Sequence, residues 1–136
     1  MKTFYIKEEA TGKQITSAEE VYETLKEIGK ADQETFWLIG YSGGNKEIYR
    51  ECIFMGGLNC ASVDLKIIFK RLLNRGCNSF MVAHNHPSDN PNPSPEDKEI
   101  TGKIKEAAKI LDITFLDHLV IAGNGFMSFK NLGLLI

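Results

Sequence analysis

His84 and His86 stand two residues apart in the run His84-Asn85-His86-Pro87-Ser88, and Asp97 follows further along the chain. Imidazole nitrogens and a carboxylate oxygen are donor types that hold zinc. In extended backbone, residues i and i+2 face the same side with Cα atoms roughly 6–7 Å apart, so two imidazoles can converge on one cation. Asp97 arrives from a different element. Ser94-Pro95-Glu96-Asp97 opens a helix expected to run to about Leu111, with Pro95 at the tolerated first position. Ile100, Ile104, Ala107, Ala108 and Leu111 form its apolar stripe. Asp97 lies one turn ahead of Ile100 and two ahead of Ile104, so it extends the buried face upward. An unpaired carboxylate there would cost several kcal/mol. A helix-cap role suits a solvent-facing acid better than one in this phase. Two histidines, one carboxylate and an open position make the donor set of a hydrolytic zinc site, where bound water is acidified towards a pKa of about 7.

The elements that must carry these residues are legible in outline. Residues 79–83 form a short apolar run, as expected of a central buried strand, followed by a polar loop over 84–93. Residues 35–41 and 47–55 read as a hairpin around Ser42-Gly43-Gly44-Asn45. Ser17 and Glu20 form a capping box ahead of Val21, Tyr22, Leu25 and Ile28, a helix that stops near Gly29. A second helix, capped by Ser62, is expected to turn Leu65, Ile68, Phe69, Leu72 and Leu73 inward and to end at Gly76. Residues 113–122 and 126–129 read as a closing strand pair, and residues 3–7 with 14–16 as a small hairpin. This order indicates a mixed α/β or α+β sheet with helices packed on its faces.

The spacing H-x-H-(x7)-S-(x2)-D, filled by His84, His86, Ser94 and Asp97, is the JAMM signature of JAB/MPN metalloproteases. More closely, the chain resembles the bacterial RadC family, through HNHPS, the PSPEDKEIT run, LDHLVIAG and a closing F-x-S-F at 126–129. The resemblance runs from about Ala31 to the C-terminus. It implies an MPN/JAB-like mixed sheet flanked by helices, with cytidine-deaminase-like layering. One domain over 1–136 is expected, its residues 1–30 being an N-terminal hairpin and helix. The resemblance also implies roles. His84, His86 and Asp97 would ligate Zn²⁺; Glu34 would be general base and then general acid; Ser94 would donate to the developing oxyanion. The implied reaction is hydrolysis of a peptide or isopeptide bond without a covalent enzyme intermediate.

The residues leave alternatives beside these roles. Glu47 and Glu51 also lie on the sheet and compete with Glu34. A serine before proline is expected as an N-cap, which competes with an oxyanion role for Ser94. His118, after Asp117, reads as a structural hydrogen-bonding residue rather than a ligand. Two features depart from the RadC pattern: Asp89 replaces the usual Gly after HNHPS, which is expected to alter the loop over the metal, and Lys66 stands where the family's Pro-Arg pair places an Arg. The helix-hairpin-helix region of many RadC proteins finds no room, so any DNA contact it makes is expected to be missing.

Composition bounds the rest. Among 136 residues, 16 Lys+Arg against 18 Asp+Glu give a net charge of −2, with 43% hydrophobic and 25% charged residues, ordinary values for a soluble domain. No run approaches the ~18 apolar residues of a membrane span. The first residues are charged again at Lys7 and lack a signal-peptide core, so a cytoplasmic, membrane-free protein is expected. Cys52, Cys60 and Cys77 are odd in number without C-x-x-C spacing, and read as small buried hydrophobes rather than a disulfide framework. Trp37 reads as core. Lys66, Lys70, Arg71 and Arg75 form a basic helix edge, read as a solvated face rather than a nucleic-acid footprint. The expected partner is an unidentified protein or peptide substrate, and the apolar residues near Leu132, Leu134, Leu135 and Ile136 permit a homodimer. A non-catalytic MPN interaction module and a DNA-repair-associated role, the family's label, stand as alternative functions.

Overall fold

Strands buried on both faces need a helix layer on each side, and two segments of this chain are apolar enough to demand it. They are β1 (Thr35–Tyr41) and β3 (Ser79–Asn85), buried at every position in a computed structural model that describes residues 9–14, 17–56 and 63–135. With β2 (Glu47–Met55), β4 (Thr114–Ala122) and β5 (Gly125–Ser128) they form one five-stranded sheet in the order β2-β1-β3-β4-β5. The β3–β4 pair is parallel and all other pairs are antiparallel. A parallel pair needs a crossover, and α3 (Pro95–Ile110) supplies it. The expected mixed α/β sheet with flanking helices is what forms.

Alternation assigns the faces. Phe36, Leu38, Phe80 and Val82 pack with Ile68, Phe69 and Leu72 of α2 (Leu65–Asn74) and with Ile100 and Ile104 of α3. Trp37, Ile39, Tyr41, Met81 and Ala83 pack on the other face with Val21 and Leu25 of α1 (Ala18–Leu25) and with Ile28. Even-numbered positions of β1 and β3 therefore look towards α2 and α3, which is the side that Asp97 approaches.

Several boundaries differ from expectation. β3 runs two residues further, because His84 and Asn85 still pair with Val120 and Ile121 of β4. α1 ends at Leu25, and Lys26–Lys30 tightens into a 3-10 turn. That turn presses on the end of β4 so closely that a Cβ on Gly29 would lie 2.2 Å from the Ala122 carbonyl oxygen. The N-cap of α2 is Asp64, whose carboxylate accepts from Lys66 N–H; Ser62 and the 3–7 strand lie outside the described residues. Leu73 is 56% exposed, not inward, since five residues beyond Ile68 the helix has turned away from the core. Leu111 caps α3 and is exposed, whereas Thr101 is buried in the stripe. Cys77 is buried and Cys52 half-buried. Among the described residues, no helix is long and apolar enough to cross a membrane.

Candidate metal centre

His84 is the sixth residue of β3, and His86 N–H donates to the Ile121 carbonyl (2.9 Å), so the backbone stays paired just past the strand. The two imidazoles thus emerge on one side, with ring centroids 5.0 Å apart. Asp97 meets them from the first turn of α3. Its backbone N–H donates to Ser94 Oγ (3.1 Å), and its Oδ2 accepts from Ser94 N–H (2.8 Å), a reciprocal capping box that fixes the side chain. The same Oδ2 lies 3.0 Å from His86 Nε2, and Oδ1 lies 3.0 Å from His84 Nε2. One nitrogen from each ring and one carboxylate oxygen all fall within 4.8 Å of one another.

The electrostatics follow from this crowding. Burial pushes the Asp97 carboxyl up, yet the His84 and His86 rings and the Ser94 N–H outweigh it and hold the group well below the usual carboxylate range. The Asp97 hydrogen bond raises the pKa of His86 against an opposing effect of burial, and the charge of Glu34 raises it further. On its far side, His86 Nδ1 meets the Asn90 carbonyl (3.1 Å).

Glu34 stands just ahead of β1 and, with His86, Asn90, Ser94 and Asp97, lines an open cleft of about 450 Å³. The backbone beneath it is tied on two sides. Asn85 Nδ2 donates to the Gln33 carbonyl (2.9 Å), and the Glu34 carbonyl accepts from Gly56 N–H (2.9 Å). The rival glutamates are elsewhere. Glu47 is buried at the opposite end of the hairpin, opposite Tyr41, where it takes Arg50 Nη2 (2.8 Å), Arg50 Nε (2.9 Å) and Thr11 N–H (3.0 Å). Glu51 is engaged by the Tyr49 hydroxyl and by Arg71 Nε (3.3 Å).

A site of this composition on this sheet bears on ancestry, and comparison with known families agrees with it. Residues 15–134 match the RadC-like JAB domain. The chain belongs to that family. A UPF0758 protein of Flavobacterium johnsoniae is 38% identical over 123 residues, covering 90% of this chain and 54% of the relative. One from Geobacillus kaustophilus is 40% identical over 109 residues (80% and 48%), and one from Clostridium perfringens 41% over 106 (78% and 47%). The chain thus spans about half the length of these relatives. The family match also begins ahead of Ala31, taking in α1.

The donor set of this RadC-like JAB domain fits zinc. His84 Nε2 is buried and forms no aligned hydrogen bond with any described group, although Asp97 Oδ1 is 3.0 Å away. A buried imidazole nitrogen beside a carboxylate oxygen, out of hydrogen-bond alignment with it, has the donor chemistry that a zinc ligand needs. His118 was expected to make a structural hydrogen bond; its bond instead reaches the site, since Nδ1 of His84 and Nε2 of His118 are 2.8 Å apart. His118 Nδ1 in turn meets Thr101 Oγ1 (2.6 Å), and Phe129 stacks on the ring at 4.6 Å. Burial and the nearby His84 push the His118 pKa well below the ordinary imidazole value.

Thr101 and Asn85 were not among the residues expected from the sequence. Thr101 had a signal, since one turn after Asp97 it shares that residue's face of α3. Asn85 had one too, because the residue between two same-side histidines must point to the opposite face. Asp89 does not line the cleft. Its carboxylate folds over Gly123, where an added Cβ would sit 2.6 Å from Asp89 Oδ1, and Gly123 N–H bonds the Ser88 carbonyl (3.0 Å). The basic helix edge is partly engaged within the domain, with Arg71 on Glu51 and Arg75 5.0 Å above the Tyr49 ring.

Proposed function

We propose that this RadC-like JAB domain is a zinc-dependent hydrolase of the JAMM type, cleaving a peptide or isopeptide bond. One observation carries the reading: two imidazole nitrogens and a helix-borne carboxylate converge beside a cleft that Glu34 also lines. His84, His86 and Asp97 would hold the ion. When bound, zinc supplies Lewis acidity, which acidifies a coordinated water and polarises a carbonyl.

The chain's own groups supply the remainder. Glu34 accepts the proton of the attacking water and delivers it to the departing amine, which lets one carboxylate serve as base and then acid. Its backbone, tied through Gln33 and Gly56, holds the residue at the cleft wall. Ser94 Oγ uses a lone pair to accept Asp97 N–H, and that leaves its own proton for an acceptor in the cleft. Capping and donation to an oxyanion therefore use different parts of one hydroxyl. The proposal places the domain in the cytoplasm.

The test is cleavage of peptide and isopeptide libraries by zinc-loaded protein. Turnover that disappears on chelation and in His86→Ala, and returns on adding zinc to the wild type, supports the reading. A wild-type chain that takes up zinc yet cleaves nothing, while His86→Ala retains every protein contact, would instead establish an interaction module.

A further inference from the structure

We infer that His118 and Thr101 are positioning residues that hold His84 in its Nδ1–H tautomer, so that the Nε2 lone pair points at the cation site. The consequence for zinc rests on the function proposed above; the tautomer itself does not.

A neutral imidazole carries one N–H, and the surroundings of its two nitrogens decide which one. A proton on His84 Nε2 would meet Asp97 Oδ1 at 3.0 Å but out of hydrogen-bond alignment, with no other acceptor among the described residues. A bond so misaligned returns only part of what an aligned one gives. A proton on Nδ1 instead finds His118 Nε2 at 2.8 Å. The same choice then propagates. His118 Nε2 must present its lone pair to accept, so its own proton sits on Nδ1, where Thr101 Oγ1 accepts it at 2.6 Å. Thr101 lies on α3 one turn beyond Asp97, so the helix that delivers the carboxylate also anchors the end of this chain of bonds.

Packing fixes the geometry. His118 is fully buried, Phe129 stacks on its ring at 4.6 Å with 9° between planes, and Phe36 meets it edge-on at 6.0 Å. His118 N–H and Lys130 N–H both donate to Asp117 Oδ1, and Ser128 bonds the other oxygen, so the segment that carries Phe129 is tied to the strand that carries His118. Ligand histidines orient their rings through such outer bonds, and losing them typically weakens metal affinity 10–100-fold.

The test has two independent arms. The chain contains three histidines, so nitrogen NMR of the zinc-free protein can assign each tautomer. The expected result is Nδ1–H and bare Nε2 for both His84 and His118. Nε2–H on His84 overturns the inference. The second arm is zinc affinity by chelator competition, with folding checked by circular dichroism. His118→Leu removes the acceptor and is expected to weaken zinc roughly 10–100-fold. His118→Gln, whose amide oxygen can accept from His84, is expected to restore most of that loss. Thr101→Val is expected to weaken zinc by less than His118→Leu. Wild-type affinity in folded His118→Leu, or no recovery in folded His118→Gln, also overturns the inference. A wild-type chain that binds no zinc would overturn the metal reading alone, and the NMR arm would still decide the tautomer.

Discussion

Asn85 Oδ1 accepts two hydrogen bonds from Thr35, one from its backbone N–H and one from its hydroxyl, both 2.7 Å long. Thr35 Oγ1 also receives Trp37 Nε1–H at 3.0 Å, which leaves this corner of the sheet closely satisfied. Asn85 sits between the two histidines in sequence but on the opposite face, where it binds the segment that carries Glu34. The H-N-H triplet thus serves the cleft from both sides of one strand: the histidines present donors, and the asparagine anchors the neighbouring glutamate.

Asn85→Ala is expected to destabilise the fold by about 2–3 kcal/mol, because it strands the buried Thr35 N–H and the Gln33 carbonyl. In thermal denaturation that corresponds to a fall in Tm of roughly 5–10 °C. A Tm indistinguishable from wild type would show that the anchor contributes nothing.

Glu34 and Glu47 separate chemistry from structure. Glu34→Gln is expected to lower any hydrolysis by about 10²–10⁴-fold with zinc content unchanged. Glu47→Ala should leave the site's zinc stoichiometry intact in folded protein, yet cost about 3–5 kcal/mol by stranding buried Arg50. Kinetics, metal analysis and denaturant melts on both variants check this. Loss of zinc from Glu34→Gln, or an unaffected stability in Glu47→Ala, would contradict it.

The grouping of His84, His86 and Asp97 was legible in the sequence because it is local or fixed by period, whereas Glu34 entered only through the family resemblance. The two-residue spacing of the histidines and the helical phase of Asp97 bring three donors together without knowledge of any distant contact. What the sequence could not supply was pairing across the sheet. His118 is 34 positions from His84, and its bond depends on β4 lying parallel beside β3 in one register. The separation of Glu34 from Glu47 and Glu51 depends likewise on the β1–β2 register, which sets which end of the hairpin lies at the cleft. Helix limits shifted where tertiary packing overrode local signals, as at Gly29 against Ala122 and at exposed Leu73.

Acid should destabilise the metal-free chain. In the unfolded state His118 titrates near 6.5, while burial depresses it in the fold, so below about pH 6.5 the unfolded state binds a proton that the native state refuses. Stability therefore falls as pH drops from about 6.5 towards the depressed value. His86 acts oppositely: its raised pKa gives a contribution that is full below about 6.5 and fades as pH rises through the folded value. Asp97, depressed, contributes above about pH 4 and loses that only on stronger acidification. His118 is fully buried and faces His84, His86 and Asp97, whereas His86 is partly exposed, so the His118 trend should dominate. Melts in chelator are expected to show Tm falling from about pH 7 to about pH 5 in the wild type and not in His118→Gln. A wild-type Tm that rises on acidification would contradict the assignment.

Ser94→Ala removes the N-cap of α3 and one of the bonds that steady Asp97. A stability loss of about 1 kcal/mol is expected, together with weaker zinc binding, whereas an Asn at this position should retain the cap. Denaturant titration and chelator competition on the two variants decide it. Equal loss in both would show that capping is not what Ser94 contributes.

The most direct measurement is anomalous diffraction at the zinc edge from crystals grown with zinc. One peak per chain is expected within bonding distance of His84 Nε2, His86 Nε2 and an Asp97 carboxylate oxygen, about 2.0–2.2 Å from each. No peak among those three atoms, or a single peak held by other residues, would contradict the account.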